Sequence, residues 1–112
     1  MSYDIILAPE AVEDLQRLKA NVRATVRAAL FTYLQHAPTQ VSKSRIKRLR
    51  GLRRPQYRLW VDDIRVFFDI RKHDVEILAI LDKGDTAAWL AQFGEPEKGG
   101  SDETDSAFRS EE

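Results

Sequence analysis

The chain of 112 residues has no cysteine, which excludes disulfide stapling and thiolate metal sites and fits a reducing compartment. No apolar run approaches the roughly 18–20 residues that cross a bilayer. Met1 leads through Ser2, Tyr3 and Asp4 straight into a strand pattern, so no secretory signal is visible and a soluble cytoplasmic protein is expected. No dinucleotide-binding glycine motif, P-loop, HExxH or GxSxG is present. His36 and His73 fall at an expected helix end and loop tip and read as exposed punctuation. No metal-ligand cluster stands out, so neither metal nor cofactor is expected.

What is present is a charge split hidden by a formal net charge of zero. Residues 95–112 hold seven acids and two bases, whereas residues 1–94 hold eleven acids and sixteen bases. The first part is read as one small domain with a basic body, and 95–112 as an acidic disordered tail. The positive charge is concentrated in Lys43, Arg45, Lys47, Arg48, Arg50, Arg53, Arg54 and Arg58, with no acid between residues 43 and 58. Such a run is a candidate grip for a phosphate backbone.

Tyr3, Ile5 and Leu7 alternate with their neighbours as a short first strand. Pro9, Glu10, Glu13 and Asp14 suit a helix start, with Ala11, Val12, Leu15 and Leu18 as its apolar stripe. Asn21 is a candidate N-cap for a second helix, striped by Val22, Val26, Leu30 and Leu34 and stopped by Pro38. A basic connection follows, with a short helical turn expected over Arg45–Leu49 and a break at Gly51. Three strands come next: PQYRLWV, IRVFFDI and VEILAIL. A turn at Asp62-Asp63 sets Trp60 opposite Arg65, and a loop at 71–74 sets Phe68 opposite Ile77 and Val66 opposite Ala79.

Strand alternation then gives two faces. Tyr57, Leu59, Val61, Ile64, Val66, Phe68, Ile70, Val75, Ile77, Ala79 and Leu81 are expected to face the helices. Arg58, Trp60, Arg65, Phe67, Leu78, Ile80 and Asp82 make an outer face of cations and aromatics, suited to nucleic acid. In that register Asp69 meets Glu76, a mild repulsion. A short helix through Trp89 and Phe93 closes the domain.

The segments Leu49–Leu52 (LRGL), Tyr57–Ile70 (YRLWVDDIRVFFDI) and Val75–Lys83 (VEILAILDK), in this order, resemble the RelE/ParE superfamily of type II toxin–antitoxin toxins. The resemblance covers Tyr3 to Phe93 and implies an α+β fold of the RelE-like microbial-ribonuclease type. In it, an N-terminal strand and two-helix hairpin pack on an antiparallel sheet followed by a short C-terminal helix. It further implies a metal-independent, ribosome-dependent mRNA endonuclease held in check by a cognate antitoxin. Arg58, Arg65 and Lys83 match the family's catalytic positions, with Trp60 and the basic run as RNA contacts. Trp60 stands where some relatives carry a second lysine, and no C-terminal tyrosine is evident. Two alternatives on the same fold stay open, a ParE-like inhibitor of DNA gyrase and a non-catalytic RNA-binding module.

Overall fold

The computed structural model describes residues 2–41 and 45–97. Strand β1 (Asp4–Leu7) leads into helices α1 (Pro9–Arg17) and α2 (Ala20–Leu34). Strands β2 (Ile46–Arg48), β3 (Leu52–Arg54), β4 (Tyr57–Val61), β5 (Ile64–Arg71) and β6 (Asp74–Asp82) follow, then a 3-10 turn (Lys83–Asp85), helix α3 (Thr86–Phe93) and strand β7 (Glu95–Pro96). Five strands form one sheet in the order β1-β6-β5-β4-β2, and β3 and β7 form a small separate pair. All neighbours in the large sheet run antiparallel except β1 and β6, which run parallel.

Pro9 occupies the first turn of α1, where its missing N–H goes unused, and Glu10 opposes the helix dipole beside it. The break between the helices is closed by Arg23, whose guanidinium donates to the carbonyls of Leu15, Gln16 and Leu18 at 3.2, 3.2 and 2.9 Å. These are carbonyls a helix end leaves without partners, so one arginine fixes the bend. Helix α2 starts one residue earlier than the expected cap: Lys19 takes the cap position without a side-chain bond, and Asn21 lies inside the helix.

Ala11, Val26, Ala29, Leu30 and Leu34 on the helices meet Leu59, Val61, Val66, Phe68, Val75 and Ile77 on the sheet. Burying each large side chain contributes about 1.5–3 kcal/mol. Val12, expected in the stripe, is 39% exposed. The expected helical turn over Arg45–Leu49 is instead edge strand β2, because Ile46 pairs with Leu59 and enters the core while Lys47 and Arg48 stay exposed.

The β4–β5 hairpin has the register read from sequence, with Trp60 opposite Arg65 and Leu59 opposite Val66. The β5–β6 pair keeps Phe68 opposite Ile77, but then Phe67 meets Ala79 and Val66 meets Ile80. Leu78 is therefore an extra residue in β6, a bulge that inverts the phase of everything after it. Ile80, expected on the outer face, joins the core, while Ala79 and Leu81 move to the outer face. At the bulge the Ile80 amide donates to the Asp14 carboxylate of α1 at 3.0 Å, giving that N–H a partner and tying α1 to β6.

Candidate functional site

Lys47, Arg58 and Phe67 form one row across β2, β4 and β5 on the outer face, and Trp60, Arg65 and Leu81 form the next. Residues paired across strands point to the same side, so the register gathers cations from three strands. The Arg58 guanidinium lies 5.0 Å from the centre of the Trp60 ring, and that of Arg65 lies 4.7 Å from it. Arg65 is held by the carbonyls of Asp62 and Ile64, to which its Nη1 donates at 2.8 and 3.1 Å. Trp60 thus attracts two like-charged guanidinium groups to one ring.

Burial pushes the Arg58 pKa down, and the neighbouring Arg65 charge lowers it further. Arg58 Nε and Trp60 Nε1 are buried without a hydrogen-bond partner among the described residues. A guanidinium nonetheless stays protonated at any physiological pH, so the chemistry of this pair is electrostatic attraction.

Lys83, expected beside these arginines, makes none of these contacts. It is 61% exposed and ion-paired with Asp63 at 3.3 Å, and its backbone N–H donates to the Asp63 carbonyl at 2.8 Å. It fastens the β4–β5 turn to the end of β6.

The basic run does not form one continuous strip. Lys43 lies outside the described residues. Arg45 donates to the Trp60 carbonyl at 3.1 Å and stacks over Tyr33 of α2 at 4.9 Å, on the helix side of the sheet. Arg48 donates to the Leu49 and Gln56 carbonyls and lies over Tyr57. Arg53 is ion-paired with Glu95. Arg54 lies between Asp69 at 3.0 Å and Glu76 at 3.1 Å. Lys47 and Arg50 are exposed and, among the described residues, form no ion pair.

Two features escaped the sequence reading. The first is the place of α3: Trp89 stacks on Phe67 at 5.1 Å with the rings 13° from parallel, and Phe93 packs against Trp89 at 5.7 Å with its ring tilted by 39°. Phe67, expected as an open platform, is fully buried. The signal was available, since a fully apolar outer position beside an apolar C-terminal helix calls for a cover. The second is the role of Arg54, which bridges Asp69 and Glu76, the cross-strand pair that the sequence register had already set opposite each other. Burial raises the Asp69 pKa, against the lowering effects of the Gln56 amide and Arg54. Glu95 and Pro96 pair with Arg54 and Leu52, so strand pairing reaches residues 95 and 96, where the tail was expected to begin. Residues 98–112 lie outside the described residues.

A sequence profile described as "ParE toxin of type II toxin-antitoxin system, parDE" matches residues 5–86. The chain belongs to this toxin family. Its fold is similar to that of a doubly substituted E. coli toxin RelE in the free state, with a TM-score of 0.59 at 16% identity, covering 80% of this chain and 92% of that one. It also resembles the archaeal RelE–RelB complex of Pyrococcus horikoshii OT3, with a TM-score of 0.57 at 21% identity over 75% of this chain and 98% of that one. For the RelB–RelE antitoxin–toxin complex of Methanococcus jannaschii the values are 0.54, 15%, 75% and 96%. At such identities the likeness is one of fold. No curated protein matches in sequence. This ParE-family chain is therefore a type II toxin with the RelE-like α+β fold, and among its described residues no helix is long and apolar enough to cross a membrane.

Proposed function

We propose that this toxin acts by binding its target through the Arg58–Trp60–Arg65 face without cutting RNA, and that the target is DNA gyrase. The observation that carries this reading is the chemistry of the face. Cleavage at a ribose 2′-OH needs one group to take a proton and another to give one to the leaving oxygen. Arg58 and Arg65 supply charge only, and the Lys83 ammonium lies in the turn after β6 beside Asp63, making no contact with the two arginines. His73 lies in the turn beyond Arg71, about 20 Å along β5 from Arg65 at about 3.3 Å per residue. Asp69 and Glu76 are bound to Arg54, with Phe67 and Trp89 between them and the arginines. The face therefore offers attraction and shape, and among the described residues neither Arg58 nor Arg65 forms an ion pair or hydrogen bond with a carboxylate or imidazole side chain. The ParE family match supports the same reading.

The second reading is a ribosome-dependent mRNA endonuclease. It draws support from the placement of Lys47, Arg58 and Arg65 around an aromatic ring, since such a face can hold phosphates and stack a base. On either reading the toxin is a cytoplasmic protein held inactive by a cognate antitoxin polypeptide. Solved RelB–RelE complexes of the same fold support that partner.

Two assays run side by side separate the readings. The purified full chain and its Arg65→Ala variant are added to a gyrase supercoiling reaction and to a bacterial cell-free translation with 5′-end mapping of the mRNA. Loss of supercoiling with intact mRNA, weakened in Arg65→Ala, is the expected result. New cuts within the reading frame, absent without ribosomes and absent in Arg65→Ala, would replace the proposal with the endonuclease reading. Salt-sensitive RNA binding with neither effect would leave a non-catalytic RNA-binding module.

A further inference from the structure

A groove of about 510 Å³ runs between α1 and α3, over the part of β6 that carries the bulge. Its floor is apolar: Pro9, Pro55, Leu78, Leu81, Trp89 and Phe93 line it. Leu78 is the residue that the bulge removes from the ladder, and Phe93 is 55% exposed, high for a large apolar side chain. The rim is acidic, and its acids are of two kinds. Asp14, Glu76 and Glu95 each have an arginine, in Arg17, Arg54 and Arg53 respectively. Glu10 and Glu13 are exposed and, among the described residues, form no ion pair. The groove therefore combines exposed apolar surface with two carboxylates that have no cationic side-chain partner among the described residues.

We infer that this groove is a docking site for a segment of a partner polypeptide that carries apolar side chains flanked by lysine or arginine. An apolar side chain would displace water from Leu78, Trp89 and Phe93, while a cation beside it meets Glu10 and Glu13. A polypeptide fits better than a small molecule, because a floor with Phe93 half in solvent leaves a compact ligand half wetted. The sign of charge also selects the ligand: the Arg58–Trp60–Arg65 end of the same face attracts acids, and this groove attracts bases. The inference stands independently of the target proposed above.

The test uses the full chain labelled with ¹⁵N, in which the indole N–H groups of Trp60 and Trp89 report the two ends separately. The probes are three short capped peptides on one alanine frame: one with leucines at helical spacing and lysines, one with the same leucines and glutamates, and one with lysines alone. The leucine–lysine peptide is expected to shift the Trp89 signal and leave that of Trp60 unmoved; the lysine-only peptide is expected to do neither. Glu10→Gln with Glu13→Gln should weaken binding about fivefold, and Phe93→Ser about tenfold. The backbone spectrum of each variant reports that it is folded. Absence of binding by the leucine–lysine peptide overturns the inference. So does binding that moves Trp60, binding shared equally by the glutamate peptide, or binding indifferent to all three substitutions.

Discussion

At one end of the outer sheet face Arg58 and Arg65 lie against Trp60 and, among the described residues, pair with no carboxylate; at the other, Arg54 is fastened between Asp69 and Glu76. The difference comes from register. Asp69 and Glu76 are cross-strand partners, so β5 and β6 set two carboxylates side by side, and one arginine bridges both. Around Trp60, the register sets Arg65 opposite the ring while Arg58 lies two residues before it on β4, so two arginines share one ring. One arginine-rich stretch thus supplies a structural clamp and an open cationic surface. Which arginine does which depends on what the neighbouring strand places opposite.

The largest effect that could break this comparison is functional. Arg58→Ala with Arg65→Ala is expected to raise the concentration needed for target inhibition about 30-fold or more, in the range found when a charged contact is truncated at an interface. Its stability to urea should fall by no more than about 1 kcal/mol, since removing like-charge repulsion offsets the lost bonds to Asp62 and Ile64. Unchanged inhibition by a folded double variant would move the functional surface elsewhere.

Arg54→Met should behave in the opposite way. It leaves Asp69, 7% exposed, beside Glu76 with no cation. Removing one member of a fully buried pair costs about 3–5 kcal/mol. The Arg54 side chain is 36% exposed, so a loss of about 2 kcal/mol is expected, read as a shift in urea midpoint. A loss as small as that of an exposed arginine would make the two ends equivalent.

These two arginine roles were unequally legible in the sequence. Trp60 opposite Arg65 followed from a two-residue turn at Asp62-Asp63, because a short hairpin loop fixes register for the whole pair. Beyond Phe67 the same reasoning failed. VEILAIL is apolar at six of its seven positions, so nothing marks the change of phase at Leu78. The bulge shows only in the Ile80 amide, which is answered by Asp14 some sixty residues earlier in the chain. The meeting of Asp69 and Glu76 was read as repulsion, whereas two facing carboxylates call for a cation, and Arg54 precedes the strand that pairs with β5. Likewise, Ile46 could be read as helical or extended until Leu59 was placed beside it, since three residues carry too little period to decide.

The clamp should also show in the pH dependence of stability. Burial raises the Asp69 pKa above the ordinary 3.8, so the folded chain holds this proton to higher pH than the unfolded chain does. Between the two values the folded state binds more protons, and the contribution of Asp69 to stability falls as pH rises. Urea midpoints of the wild type minus those of Asp69→Asn should therefore decline from about pH 4 upward and level off above the folded-state value. A difference that rises over that window would mean that Arg54 outweighs desolvation.

The smallest effect is expected at Lys83, and it sharpens the boundary of the cationic end. Lys83 and Asp63 are both well exposed, at 61% and 75%, and their contact of 3.3 Å is solvent-screened. Such pairs contribute about 0.2–1 kcal/mol at most. Lys83→Gln should thus leave stability within about 0.5 kcal/mol, because the backbone bond from Lys83 to the Asp63 carbonyl persists. If the binding reading is right, inhibition by this variant stays within about threefold of the wild type, since only a peripheral charge is lost. If Lys83 instead supplies a proton acceptor for RNA cleavage, the same substitution removes about 10²–10⁴ in rate at unchanged stability. One variant therefore decides whether the functional face ends at Arg65 or extends to the turn after β6.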